Sequence, residues 1–301
     1  MNASGCWCTS QNELDQLNNS DSGAIVSKSG TIHSRIGNPE PRFYSNQCGS
    51  INSMGLPNLG YNFYLEYGKE LINKPFIQSI HPFNLNELSI MIYDINANNA
   101  NNANNIKKLV EINIACPNII NDSNEHNFEH FEKHMDKINQ SEHDNIICGL
   151  KLSPLYELNH FDTMSRLLLK YNISFITCIN SMANGLIIDP FTETTRIFPK
   201  GGIGGIGGNY MKPTALSNVY NFSQRLENKI DILGCGGISN GIDVFEHILC
   251  GAKAVQVGTH LMNKTPTCFT TLNAELKQLM KIKGYNTLDN FHKKIKVIDA
   301  N

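Results

Sequence analysis

Short apolar or β-branched runs alternate along the chain with helix-length amphipathic stretches. The runs predict strands over Gly23–Ser27, Phe76–Ile80, Leu109–Ala115, Ile146–Leu152, Phe175–Ile179, Ile230–Cys235 and Ala254–Val257. Apolar positions at helical spacing predict helices over Phe63–Leu71, Phe128–Ile138, Phe161–Lys170, Leu216–Leu226, Val244–Leu249 and Leu272–Ile282. Strands that are apolar throughout and separated by helices indicate a parallel sheet covered on both faces. Seven such strands are visible, and Met1–Gly5 would supply the end of an eighth. The expected fold is therefore an α/β TIM (β/α)8 barrel, one domain over residues 1–301, with a doubly wound sheet as the alternative. Asn96–Asn105 (NANNANNANN) is polar, poorly helical and lacks a packing face, so it is expected to be an inserted surface loop. Ile119–Asn127 follows a strand directly and is better placed to be a working loop.

Composition narrows the class. Of 301 residues 41% are hydrophobic, too many for a disordered chain. No run approaches about 18 uninterrupted apolar residues, so no membrane partner is expected. The first residues have neither a basic start nor an apolar core, which excludes a secretory leader there. A net charge of −2 gives no reason to expect nucleic acid. Nine cysteines with no CxxC pair indicate free thiols in a reducing, cytoplasmic compartment rather than a disulfide framework or zinc knuckle. His126, His130 and His134 have the spacing of ligands on one helix face, but a solvated face with Glu125, Glu129 and Lys133 is the preferred reading, and no metal is expected.

In a barrel the C-terminal strand ends carry the active site. Here those ends offer Ser4–Gly5, Lys28–Ser29, Ser79, Asn113–Asn118 (NIACPN), Lys151, Asn180–Ser181, Gly236–Gly237 and Gly258–Thr259. Glycine turns after the last two strands suit a phosphate, because bare backbone N–H groups can approach the anion. Amides without an acidic partner suit a polar, planar, neutral-to-anionic ligand. The absence of a carboxylate pair or a His-containing triad at these ends argues against glycosidase and serine-hydrolase chemistry. Cys116 lies past its strand end, before Pro117 and a polar loop, where a thiol can be tuned for proton transfer. Cys148, Cys178, Cys235 and Cys250 fall inside elements and are read as small buried hydrophobes. Gly202–Gly207 (GIGGIG) matches a dinucleotide fingerprint, but it follows a proline-containing segment and does not open a helix. It is expected instead to be a loop approaching a ligand or another backbone closely.

The segments IGNPEPRFY (36–44), GSINSMGLPNLG (49–60), NIACPN (113–118), INSMANGLIIDP (179–190), GGIGGNYMKPTAL (204–216), GCGGI (234–238) and FEHILCGAKAVQVGT (245–259) resemble dihydroorotate dehydrogenase. More narrowly, they resemble its soluble, fumarate-linked A-type branch of class 1. The likeness runs in order over nearly the whole chain. It implies a TIM barrel carrying FMN, oxidation of dihydroorotate to orotate in pyrimidine synthesis, fumarate as electron acceptor, and a homodimer. A B-type catalytic subunit with an iron–sulfur/FAD partner, or an inactive flavin-binding homologue, is the alternative. Matched motif by motif, Ala3, Ser4, Lys28, Ser29, Asn52, Asn113, Lys151, Ile179, Ser181, Gly208, Gly236, Gly237, Gly258 and Thr259 would contact FMN. Lys28, Asn52, Met54, Gly55, Leu56, Asn113, Asn118, Asn180 and Ser181 would surround the pyrimidine. Cys116 would take the C5 proton as hydride leaves C6 for flavin. The family pattern also has more chain before its NASG motif, which here starts at Asn2, so a shortened barrel floor is expected.

Overall fold

The computed structural model describes residues 1–70, 73–100, 107–114, 128–141 and 144–298. In chain order its strands are β1 (Ile25–Val26), β2 (Phe43–Asn46), β3 (Gly49–Asn52), β4 (Phe76–Ile80), β5 (Lys108–Asn113), β6 (Ile146–Leu152) and β7 (Phe175–Cys178). They continue with β8 (Met182–Leu186), β9 (Ile188–Asp189), β10 (Thr194–Thr195), β11 (Ile203–Gly207), β12 (Asp231–Cys235) and β13 (Ala254–Gln256). The helices are α1 (Gln11–Asn18), α2 (Tyr61–Glu70), α3 (Leu85–Ala100), α4 (Phe128–Gln140) and α5 (Leu158–Lys170). After these come α6 (Lys212–Arg225), α7 (Gly241–Cys250), α8 (Thr259–Lys264) and α9 (Cys268–Ile282).

The seven predicted apolar runs form one parallel sheet of order β1-β4-β5-β6-β7-β12-β13. Its edges are joined by Met1–Ala3. On one side the backbone pairs with β13, Ala3 N–H donating to Val257 O (2.8 Å) and Val257 N–H to Met1 O (2.9 Å). On the other, the Asn2 side chain stands in for a peptide: its Nδ2 donates to Val26 O (2.7 Å) and its Oδ1 accepts from Val26 N–H (2.8 Å). The expected eighth strand is thus a single bridging residue whose amide reaches the strand its backbone does not.

The barrel interior is layered. Val26, Ile77, Phe175 and Leu233, with Met1, Leu109, Ile147 and Ala254 against them, fill the end where the strands begin. Gly149 leaves room for the Phe175 ring, which would lie 2.3 Å from a Cβ there. Above this lies a polar layer of Glu111, Thr177 and Gln256, all fully buried. Asn113, Lys151 and Cys235 follow at the strand ends. The shell between strands and helices is apolar, for example Leu88, Met91, Ile92 and Ile95 of α3 against Val110 and Ile112 of β5.

Two expectations change. Asn96–Ala100 are not loop but the end of α3, whose apolar face carries the helix through its polar tail; Asn101–Asn105 lie outside the described residues. GIGGIG is not loop either. Ile203–Gly207 is β11, antiparallel to β3 and to β8 in a second sheet of order β2-β3-β11-β8. The expected close backbone approach is present: a Cβ on Gly204 would stand 2.5 Å from Asn52 O. No helix among the described residues is long and apolar enough to cross a membrane.

Candidate active site

A cleft of about 1100 Å³, open solvent at its mouth included, lies between the barrel's strand ends and the second sheet. All fourteen residues matched to FMN contact line it, from Ala3 and Ser4 through Lys28, Asn113 and Lys151 to Gly258 and Thr259. Of those matched to the pyrimidine, Met54, Leu56 and Asn180 also line it, alongside Lys28, Asn52, Asn113 and Ser181. Gly55 does not; it forms the turn behind the wall, with φ +71° and Asn38 Oδ1 only 2.3 Å from where a Cβ would be. Cys116 and Asn118 lie outside the described residues, as does the loop Ile119–Asn127. Phe43, Ser50, Cys6, Met211, His260 and Met262 line the cleft too and were not singled out from sequence. Phe43, Ser50 and Met211 carried a signal, inside IGNPEPRFY, GSINSMG and GGIGGNYMKPTAL.

One part of the cleft is built from amides and cations. Ser29 Oγ lies 3.1 Å from Ser4 Oγ and 3.0 Å from Ser79 Oγ, and accepts from Asn113 Nδ2 at 3.3 Å. His81 Nδ1 lies 2.5 Å from the Asn113 carbonyl. Asn180 Nδ2 donates to Asn113 Oδ1 (3.4 Å), and Asn52 Nδ2 to Gly205 O (3.2 Å). Each amide plane is therefore fixed by protein partners before a ligand arrives. Lys28 is 6% exposed, and among the described residues no group accepts a hydrogen bond from its ammonium. Lys151 donates to Gln256 Oε1 at 2.7 Å and approaches Cys235 Sγ at 3.5 Å. Burial opposes its charge, but Cys235 and the Glu111 carboxylate outweigh burial and raise its pKa above the ordinary lysine value. No Asp or Glu lines the cleft among the described residues.

The other part is bare backbone. Gly207–Gly208, Gly236–Gly237 and Gly258–Thr259 line it, Gly207 and Gly208 lying beside Thr259. Thr259 Oγ1 bonds Ser50 Oγ (2.7 Å), tying barrel to second sheet. No side chain caps α8, which starts at Thr259. Asp243 accepts from Ser239 N–H (2.7 Å) and Asn240 N–H (3.1 Å) and pairs with Lys212 at 2.5 Å, fixing the loop after Gly237. Cys235 is buried at the end of β12 as expected and also lines the cleft, while Cys148 and Cys250 are buried thiols pushed up by burial to about 12 and about 11. His134 also departs from expectation: it is buried against the core, its Nδ1 2.8 Å from His130 O, while Lys133 pairs with Glu129 at 2.6 Å on the wet face. His126 lies outside the described residues, among which no cluster of three metal-ligating side chains occurs.

His247 holds the glycine turn from behind, Nε2 lying 3.0 Å from Gly236 O. Burial pushes its pKa from 6.5 down to about 4, so the ring is neutral and Nε2–H donates. Between those values the unfolded chain binds a proton that the folded chain refuses. Stability is complete above the window and falls as pH drops through it. The expected loss on acidification to about pH 4 is about 3 kcal/mol from this group. Urea midpoints against pH should show it, and His247→Gln should flatten that part of the profile.

Set beside known proteins, this cleft has company. The dihydroorotate dehydrogenase family model matches residues 1–280. The chain belongs to the dihydroorotate dehydrogenase family. The chain is 42% identical over 305 residues to the dihydroorotate dehydrogenase (fumarate) of Kluyveromyces lactis, covering 99% of this chain and 94% of that one. It is 40% identical over 304 residues to the dihydroorotate dehydrogenase (fumarate) of Trypanosoma brucei brucei, with 99% and 95% covered. A crystal structure of DHODH from Eimeria tenella in complex with ferulenol superposes with a TM-score of 0.71 at 16% identity, over 89% of this chain and 78% of that one. At that identity the likeness shows the fold, a family barrel.

Proposed function

We propose that the cleft binds one FMN and that the chain oxidises dihydroorotate to orotate, passing the electrons to fumarate, as a cytoplasmic homodimer of the kind the A-type resemblance implies. The observation that carries this reading is the division of one cleft into a cationic amide floor and a bare glycine wall. Lys28 and Lys151 would face the flavin ring edge where negative charge gathers, and the Gly236–Gly237 and Gly258–Thr259 amides would take the phosphate. Gly258 fits that use, since a Cβ there would meet nothing closer than Cys6 Sγ at 3.6 Å and a side chain would project among ligand atoms rather than protein. When bound, FMN supplies the two-electron acceptor for the C5–C6 bond of dihydroorotate. Asn52, Asn113 and Asn180 can present donors and acceptors to a ring that alternates N–H and C=O. Lys28 would meet the substrate carboxylate or a ring carbonyl. Cys116, from its motif, would accept the C5 proton and return one to fumarate.

Fumarate, planar and dianionic, fits the same amides and cations, so orotate should compete with it in ping-pong kinetics. Steady-state assays with fumarate, a ubiquinone analogue and NAD as acceptors test this. Fumarate should be fastest; preference for quinone or NAD would overturn the assignment.

A further inference from the structure

The polar layer beneath the cleft has no part in the function proposed above. Glu111 of β5 is fully buried, and its Oε2 accepts from Thr177 Oγ1 of β7 (2.7 Å) and from Gln256 Nε2 of β13 (2.6 Å). Its Oε1 has no hydrogen-bond partner among the described residues. Gln256 Oε1 in turn accepts from Lys151 Nζ of β6 at 2.7 Å. An ammonium can only donate and a carboxylate only accept, so the amide between them has one permitted orientation. Neither Glu111, Thr177 nor Gln256 reaches the cleft wall; Lys151 does.

We infer that Glu111 is the positioning residue for Lys151, a buried counter-charge that acts through Gln256 to hold the lysine ammonium charged and aimed into the cleft. This rests on the reading of the cleft as a flavin site and adds an anion to a cleft whose described lining has no Asp or Glu. A buried carboxylate is tolerated only with a compensating charge, and a buried ammonium alone tends to release its proton. The titratable groups facing Lys151 are Glu111 of β5, Cys178 of β7, Cys235 of β12 and Cys6, with Lys28 beyond Cys6. Among these groups Glu111 is the carboxylate, and together with Cys235 it offsets the burial that opposes the charge of Lys151. Lys151 thus owes part of its charge to a residue that does not line the cleft.

The test uses FMN-loaded wild type, Glu111→Gln, Lys151→Met and the double variant. The midpoint potential of bound FMN is followed from about pH 6 to about pH 9, the range into which an unsupported buried lysine falls. Wild type should give a line without a break. Glu111→Gln should bend within the range as Lys151 loses its proton, and the double variant should not bend. Superimposable profiles for wild type and Glu111→Gln would overturn the inference. Urea unfolding supplies a second readout that does not depend on flavin. Lys151→Met strands the carboxylate, so the double variant should unfold at higher urea than Lys151→Met. A double variant no more stable than Lys151→Met would refute the partnership, even if Glu111→Gln alone fails to fold. A wild type that takes up no FMN would sink the flavin reading, and the urea comparison would still decide whether Glu111 and Lys151 are partners.

Discussion

Cys116→Ala is expected to slow reduction of the bound flavin by dihydroorotate by about 10²–10⁴-fold, the usual weight of a positioned general base. The C5 proton of dihydroorotate is weakly acidic, and its removal must keep step with hydride loss from C6. The described cleft wall offers no carboxylate for that work. Its lysines are donors, and the Cys6 thiol is pushed by burial up to about 11. By the family resemblance, Cys116 of the NIACPN motif would supply the base. Orotate affinity should persist within a few-fold, because in the proposed reading Asn52, Asn113 and Asn180 would hold the ring. Stopped-flow bleaching at the wild-type rate in Cys116→Ala would remove the cysteine from the mechanism.

Gly237→Ala is expected to weaken FMN binding by roughly tenfold to hundredfold. Gly237 has φ +72°, and a Cβ there would stand 2.3 Å from Lys212 Cβ and 2.7 Å from Lys212 Cα. Lys212 cannot yield cheaply, since Asp243 and Glu246 both hold its ammonium. Strain of this kind costs about 1–3 kcal/mol, and about 1.4 kcal/mol is tenfold in affinity. Gly284→Ala is the control. It shares the positive φ (+73°) but has open space around it and terminates α9 away from the cleft. Titration with FMN should show the loss in Gly237→Ala and not in Gly284→Ala.

How much of this could be read from residues alone depended on where the hydrophobic signal was strong. β4 and β6 have the predicted limits, because FIQSI and IICGLKL are β-rich runs bounded by clear polar or turn residues. The second sheet was not legible. MANGL and IGGIG carry too little alternation to read as strands, and their register comes from antiparallel partners rather than from a buried face. Two missed helices did have signals. Ser10 and Glu13 form the capping box of α1. Leu88, Met91, Ile92 and Ile95 give α3 its buried stripe, masked in the sequence by the asparagine tail that follows. The cleft was more legible than the fold around it, since barrel logic places strand ends together and the motifs mark those ends. Glu111 and Gln256 were not, because an inward polar residue in a strand looks like a defect until its partners on neighbouring strands are seen.

The central claim is that this cleft reduces a bound flavin with dihydroorotate. One anaerobic spectrum decides it most directly. Purified protein loaded with FMN should be yellow, lose its flavin absorbance on addition of dihydroorotate with one orotate formed per flavin, and regain it on addition of fumarate. A flavin that stays oxidised under excess dihydroorotate, or a chain that takes up no FMN at all, would contradict the account.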